Sequence, residues 1–548
     1  MKTIIVGGVA AGMSAATRLR RLDENALITV YEMGEHVSYA NCGLPYFVSG
    51  VIDQRQDLLL QTPESLFARF RIDVKVRHRV LSIDAASKTV SVQNLDTNET
   101  FNDVYDSLVL ATGATPRMPP VPGIERALSL RDVTDVDSLK ASLNAARVQT
   151  VAIIGGGFVG IELAENIRKL GFGVTVVQRD TQILGGFDAE MIEPLQQQLV
   201  SEGVQLALAA QIAEITESEL VLASGERISA GVVIAAAGVQ PDNRLAVAAG
   251  LKIGETGGLW VDSQQRTSDA SIFAAGDAVE KHGELVGKNT LVPLANLANR
   301  HGRLIADVIA GQKVSAHNTI GTIIIGAFGL AAAMTGLSER AAKVAGIDFK
   351  AIHLHPSSHA GYYPGAKRIS LKVLFHAQTG ALLGAQAIGE DGVDKRIDVL
   401  ATAIFAGLKI DDLMDLELAY APQFGSAKDA INQAGYVGNN VLSGRTPTVQ
   451  WNELDQVVAS GAVLIDVRTE REFEAGNIDG AANIPVDQLR DHLDSLRGKN
   501  VVVHCQVGQR GHTATQILRG HGIEASNLDG GYITWSYGQD SLRRINRK

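Results

Sequence analysis

Short apolar runs alternate with longer amphipathic stretches along the chain, with glycines at the junctions, and this rhythm predicts an α/β protein. Residues 3–32 read as strand, glycine turn, helix and strand in "TIIVGGVAAG", "MSAATRLRRLD" and "ITVYE". The same plan returns at 150–179 as "TVAIIGGGFVG", "IELAENIRKLG" and "VTVVQR". Two further strand patterns, "YDSLVLATGATPR" (105–117) and "RTSDASIFAAGDA" (266–278), lie between and beyond these units. The stretch "GTIIIGAFGLAAAMTG" (321–336) predicts an apolar sheet in the following domain. A polar segment with Gly and Pro, "VLSGRTPTVQ" (441–450), reads as a linker. Beyond it "AVLIDVR", "ANIPVDQL", "NVVVHCQVGQRGHTATQILRGHG" and "NLDGGYITW" predict a small α/β domain.

The glycines give the two repeated units a chemistry. In the second, Gly155, Gly157 and Gly160 fill the spacing that lets a backbone turn approach a pyrophosphate at a helix N-terminus. In the first, Gly7 and Gly12 bracket the turn but Val9 stands at the middle position, so an ordinary βαβ turn is the alternative. Glu32 ends the second strand, where a carboxylate reaches a ribose hydroxyl. The matching position in the second unit is Gln178, followed by Arg179 and Asp180, which leaves NADH and NADPH both open. Asp277 follows a buried strand and suits a ribityl hydroxyl or, alternatively, the cap of a following helix.

Composition narrows the field. With 548 residues the chain exceeds what one core supports, so two to four domains are expected. A formal charge of −10 argues against a general nucleic-acid binder. Two cysteines, Cys42 and Cys505, argue against a disulfide-stapled secreted scaffold. No apolar run is long enough to suggest a membrane span, and "MKTIIVGG" enters a strand with no room for a cleavable signal. The cytoplasm is the expected location, with no membrane or nucleic-acid partner and no metal site.

Cys42 lies in "SYANCGLPYF", a polar, turn-prone stretch with no second cysteine nearby. Together with the two dinucleotide units and the "ATG" and "GD" stretches, residues 1–435 resemble the pyridine nucleotide-disulfide oxidoreductase family. The resemblance implies two Rossmann-like dinucleotide-binding domains and an α+β dimerisation domain. These are FAD-binding at 1–112 and 250–318, NAD(P)H-binding at 113–249, and dimerisation at 319–440. FAD would contact Gly7, Gly12, Glu32, Thr112, Gly113 and Asp277, and the nicotinamide nucleotide Gly155, Gly157 and Gly160. Glu162, in "GIELAE", is implied near the nicotinamide, with a solvated helix face as the alternative. "SYANCGLPY" resembles the single-cysteine branch of coenzyme A-disulfide and persulfide reductases, in which a lone thiolate attacks a sulfur–sulfur bond and is freed by two electrons from flavin; a small buried apolar residue is the alternative for Cys42. In that branch Tyr362, Tyr363 and Tyr420 ("SSHAGYYPGAKR", "LELAYAPQFGSAKDAIN") would approach the partner subunit's cysteine within a homodimer; core or interface packing is their alternative. Ser14, Arg18, Arg21, Ser38, Asn41 and Lys428 match coenzyme A contacts of the branch, although a solvated helix face also explains Arg18 and Arg21. The 321–336 stretch departs from the branch's usual lysine-bearing pattern.

Cys505 ends the strand "VVVH" and opens a loop running to Arg510, where a helix begins; loop N–H groups, the helix N-terminus and Arg510 would stabilise a thiolate or persulfide anion, with a buried strand-end cysteine as the alternative. Residues 446–540 resemble a rhodanese domain, with its core expected at 451–540, Cys505 as carrier of sulfane sulfur, and Asp466 and Arg468 structural. The expected activity is NAD(P)H-dependent reduction of persulfides or polysulfides, coenzyme A persulfide among them, with sulfide release. Coenzyme A-disulfide reduction is the alternative. A sulfur carrier or redox sensor without steady turnover is the second, and a Cys42 peroxidase or oxidase a third that the rhodanese segment disfavours.

Overall fold

The computed structural model describes residues 1–145 and 148–546, and the chain divides into two compact units. The first comprises residues 1–179 and 204–319, the second residues 180–203 and 320–548.

In the first unit, a parallel five-stranded sheet is ordered Ile272–Ala274, Ser107–Leu110, Lys2–Val6, Leu27–Tyr31 and Asp73–Lys75. The central strands read as continuous apolar runs because helices and loops cover both faces. The helix Ala10–Leu22 packs on Ala295–Ile309, and Gly302 permits the approach: a Cβ there would lie 2.1 Å from the carbonyl oxygen of Ala11. A second parallel sheet is ordered Val204–Ala207, Gly173–Val177, Thr150–Ile154 and Val232–Ala235. The two repeated sequence units therefore form the central strands and first helices of two separate sheets.

The second unit holds an antiparallel sheet ordered Ile323–Ala327, Leu330–Gly336, Leu382–Gly389, Ile369–His376 and Phe349–Leu354. Its apolar 321–336 stretch forms a hairpin at one edge. Ala332 and Ala333 are fully buried, and only Ile324 among the large apolar residues of the hairpin is markedly exposed. Small side chains on these strands let the helix Val393–Phe405 lie close against the sheet. The helix Ala430–Leu442 ends just before a parallel sheet ordered Thr448–Val449, Glu524–Leu528, Asn500–His504, Val463–Asp466 and Ala482–Asn483. No helix among the described residues is long and apolar enough to cross a membrane.

Candidate active site

Gly7, at φ +100°, turns the chain from the first strand into the first helix, and a Cβ on Gly12 would sit 1.9 Å from the Gly7 carbonyl oxygen. Strand and helix therefore meet as closely as two backbones can. Val9 is the N-cap and supplies no side-chain hydrogen bond, so the first-turn N–H groups have no side-chain cap competing with an anion. Glu32 accepts hydrogen bonds from the N–H groups of Gly8 (2.8 Å) and Gly34 (2.7 Å), fixing its carboxylate at the strand end.

A cavity of about 620 Å³ opens over this turn, lined among others by Gly7, Glu32, Asn41, Cys42, Thr112, Gly113 and Asp277. Thr112 is anchored by a 2.6 Å hydrogen bond to the Asp242 carbonyl. Asp277 sits in a 3-10 turn whose cap is Ala275 and whose end is extended, so it caps no helix; burial pushes its carboxyl up. A cavity over a glycine cradle, with carboxylates of Glu32 and Asp277 in its lining, fits the flavin dinucleotide. Those residues would bind its phosphates and hydroxyls.

The second turn repeats the construction with one telling change. Gly155 has φ +109°, and a Cβ on Gly160 would lie 2.0 Å from the Gly155 carbonyl oxygen, whereas a Cβ on Gly157 would meet nothing within 4 Å. The first two constraints are internal; the space beside Gly157 is where a ligand's phosphate can approach. Gln178 accepts a hydrogen bond from Gly156 N–H at 2.9 Å, as Glu32 does from Gly8, but without charge.

Cys42 is an exposed free thiol in the 3-10 turn Asn41–Gly43, at the cavity and immediately before the helix Leu44–Ser49. That helix is tied to Phe158–Lys169 by Tyr46 Oη, which donates to Glu162 Oε1 at 3.2 Å, and by Ser49 Oγ, 2.5 Å from Asn166 Oδ1. Glu162 is thus not on a solvated face. Partial burial, then the carboxylates of Glu162 and Asp277, push the Cys42 thiol up. Burial and Glu162 push Tyr46 up to about 12, so it stays a donor. The Tyr46–Glu162 link could not be read from sequence, since it joins helices from different sheets.

Three of the residues matching coenzyme A contacts have side-chain partners within the chain. Ser14 Oγ donates to Asn299 at 2.7 Å, Arg18 Nε pairs with Asp307 at 2.7 Å, and the Arg21 guanidinium lies 5.0 Å from the centre of the Phe70 ring. Ser38 adopts φ +48°, its N–H donating to the Gly8 carbonyl. In the second unit Lys428 is exposed, Tyr362 and Tyr420 hydroxyls lie 3.0 Å apart, and Tyr363 packs edge-on against His359. Tyr362, Tyr363, Tyr420 and Phe424 are all exposed, Tyr362 at 77% and Phe424 at 68%.

Cys505 is fully buried just after Asn500–His504, as a buried strand-end cysteine would be. The helix Gln509–Gly520 starts just beyond it, with Gly508 at φ +91° as its N-cap. Arg510 makes a bidentate pair with Glu472 at 2.6 and 2.7 Å, so its charge is shared rather than devoted to the thiol. Glu472 itself belongs to the capping box of a preceding helix, with Thr469 at its N-cap, a position that nothing in the loop motif announces. Asp466 and Arg468 form a buried ion pair beneath this site, with Arg468 over the Tyr532 ring.

Residues 1–302 match the pyridine nucleotide-disulphide oxidoreductase family. The chain belongs to that family. Residues 325–431 match the dimerisation domain of pyridine nucleotide-disulphide oxidoreductases, and residues 450–537 a rhodanese-like domain. The chain is therefore a flavin-dependent pyridine nucleotide-disulphide oxidoreductase carrying a rhodanese-like domain. It is 33% identical over 438 residues to a coenzyme A disulfide reductase of Staphylococcus aureus, covering 79% of this chain and 99% of that protein. A crystal structure of reduced Bacillus anthracis CoADR-RHD has a TM-score of 0.97 at 42% identity, covering 99% of this chain and 98% of that one. The structure of an NAD-dependent persulfide reductase from A. fulgidus has a TM-score of 0.92 at 35% identity, covering 98% and 100%. Both similarities extend through the rhodanese-like domain of this pyridine nucleotide-disulphide oxidoreductase.

Proposed function

We propose that the protein is a cytoplasmic, homodimeric NAD(P)H-dependent reductase of persulfides and polysulfides that releases sulfide. In this reading residues 1–112 and 250–318 hold FAD, 113–249 the nicotinamide nucleotide, 319–440 the dimer contact and 451–540 the sulfur carrier. The observation that carries it is Cys42: an exposed thiol lining the dinucleotide cavity with no second cysteine beside it, in a chain that also bears a rhodanese-like domain. The thiolate of Cys42 attacks the outer sulfur of R–S–SH, forming Cys42–S–SH and releasing RS⁻. Bound FAD would supply two electrons from NAD(P)H to that new sulfur–sulfur bond. The net change, R–S–SH + NADH + H⁺ → RSH + H₂S + NAD⁺, balances in atoms and charge. The partner subunit's tyrosine cluster would donate protons to leaving sulfur, and Glu162 and Tyr46 would set the ionisation of Cys42.

Coenzyme A is the proposed thiol arm, contacted by Ser14, Arg18, Arg21, Ser38, Asn41 and Lys428, with Arg18 sharing its charge with Asp307. Coenzyme A-disulfide reduction is a second reading, favoured by the Staphylococcus aureus relative. NADH oxidation with sulfide detection, run over coenzyme A persulfide, inorganic polysulfide and coenzyme A disulfide, separates the two. Stoichiometric sulfide from the persulfide at higher kcat/KM supports the first, and turnover of the disulfide alone overturns it.

A further inference from the structure

His353 lies in Phe349–Leu354, an edge strand of the antiparallel sheet, with its side chain 1% exposed. Its Nδ1 is 2.6 Å from Asp529 Oδ2 and its Nε2 3.1 Å from Glu190 Oε1. Two carboxyl groups flanking one ring favour its doubly protonated form, in which both nitrogens can donate. Burial opposes the charge, but the hydrogen bonds to Asp529 and Glu190 outweigh it and push His353 up to about 9. Glu190 is in turn shared with the fully buried Lys372, which also pairs with Asp188 at 2.9 Å and Glu339 at 2.8 Å.

Asp529 belongs to the rhodanese-like domain and immediately follows the strand Glu524–Leu528. The next residues, Gly530 and Gly531, have φ +66° and +64°. A Cβ on Gly530 would lie 2.7 Å from the Cβ of His353; one on Gly531 would lie 2.4 Å from the carbonyl oxygen of Cys505. Tyr532 N–H then donates to the Cys505 carbonyl at 2.8 Å and Ile533 N–H to the Gln506 carbonyl at 3.2 Å. His355, two residues along the same strand, lies 2.8 Å from Thr534 Oγ1 through its Nε2. Residues 529–534 are thus held by the sheet and in turn hold the backbone of the Cys505 loop.

We propose that His353 is a positioning residue for sulfur carriage at Cys505, acting through Asp529 to fix the 529–533 turn against the carbonyls of Cys505 and Gln506. It rests on the reading of Cys505 as a sulfur carrier. Docking by itself needs no charge, since a buried ion pair costs desolvation that apolar packing avoids. What the pair adds is register: the geometry of two carboxylates around one ring admits one placement of the turn. The loop is shaped for persulfide only while the rhodanese-like domain is docked on the sheet.

The charged and titratable groups around the ring are Glu190, Asp529, Lys372 and His355, with Asp188 and Glu339 behind Lys372. His353 is raised in the fold, so its contribution is complete below its ordinary value of 6.5 and is lost as pH rises through about 9.

The test uses the full-length flavoprotein as wild type, His353→Ala and His353→Gln. Three quantities are read: sulfane sulfur loaded on Cys505 from thiosulfate (by cyanolysis), amide exchange over residues 505–512, and NADH-driven reduction of inorganic polysulfide. The step measured is Cys505–S⁻ + S₂O₃²⁻ → Cys505–S–S⁻ + SO₃²⁻. His353→Ala should slow loading about 10- to 100-fold, the scale expected when a supporting contact is lost, and raise exchange of the loop. Polysulfide turnover at Cys42 should stay within about twofold, because that site has its own supports. Wild type should show the same loosening as pH passes about 9, and His353→Ala no further change. Loading and exchange like wild type in His353→Ala overturn the proposal, as does a wild-type loop insensitive to that pH. Should His353→Ala misfold, His353→Gln and the wild-type pH profile decide. A wild type that takes no cyanolysable sulfur sinks the carrier reading instead, and the exchange data then still judge the positioning role.

Discussion

At the residue scale, the proposed mechanism gives one thiol the reduction and the other the delivery of sulfur. Cys42→Ser should abolish reduction of persulfide, since no neighbouring cysteine can replace it, while NADH still reduces the bound flavin because the nucleotide sites lie on other residues. Anaerobic stopped-flow absorbance checks both halves; appreciable turnover would remove Cys42 from the mechanism. Cys505→Ser should lose bulky persulfide donors that load the buried carrier first and keep coenzyme A persulfide. Equal loss of all substrates in both variants contradicts that division. The environment of Cys42 also sets a pH rule. Partial burial and the carboxylates of Glu162 and Asp277 hold its thiol above the ordinary range, so thiolate-dependent attack increases with pH through that range. Glu162→Gln removes one negative neighbour and should shift the alkylation profile of Cys42 toward lower pH; an unmoved profile means the carboxylate does not act on the sulfur.

At the scale of elements, the two glycine turns separate folding from binding. Gly160→Ala places a methyl within 2.0 Å of the Gly155 carbonyl and should destabilise the protein by about 1–3 kcal/mol, whereas the methyl of Gly157→Ala meets no protein atom. Gly157→Ala should leave the melting temperature nearly unchanged and weaken NADH binding about tenfold, close to 1.4 kcal/mol. Calorimetry and titration on the same samples distinguish the two. This is also where sequence reading reached furthest. Glycine spacing announces both turns because the constraint is local, a backbone carbonyl a few residues away. Tyr46–Glu162, Glu472–Arg510 and His353–Asp529 were invisible for the opposite reason: each joins residues that only the fold brings together. The apolar 321–336 stretch announces a sheet but not what covers it. Its alanines are the small contact surface that lets a helix lie close.

For the whole molecule, the exposed aromatic group of Tyr362, Tyr363, Tyr420 and Phe424 stands out against a surface where such residues are scattered. The dimerisation domain match covers all four, so they are expected at the subunit contact. Sedimentation of the wild type should give a dimer, and Tyr362→Asp with Phe424→Asp should shift it toward monomer and reduce persulfide turnover. A fully active monomer would refute both the assembly and the shared site.

The strand Phe349–Leu354 ends its sheet, and a bare sheet edge offers unpaired backbone groups to any other chain. Here Gln450 donates its amide to the Ala351 carbonyl at 3.2 Å, and the 529–534 segment lies along the same strand through His353 and His355. These contacts leave the rhodanese-like domain covering part of that edge. A chain cut at residue 443 should retain its flavin but self-associate through the uncovered strand. Light scattering against the full-length protein would show this, and a truncated chain as monodisperse as its parent would mean the edge protects itself.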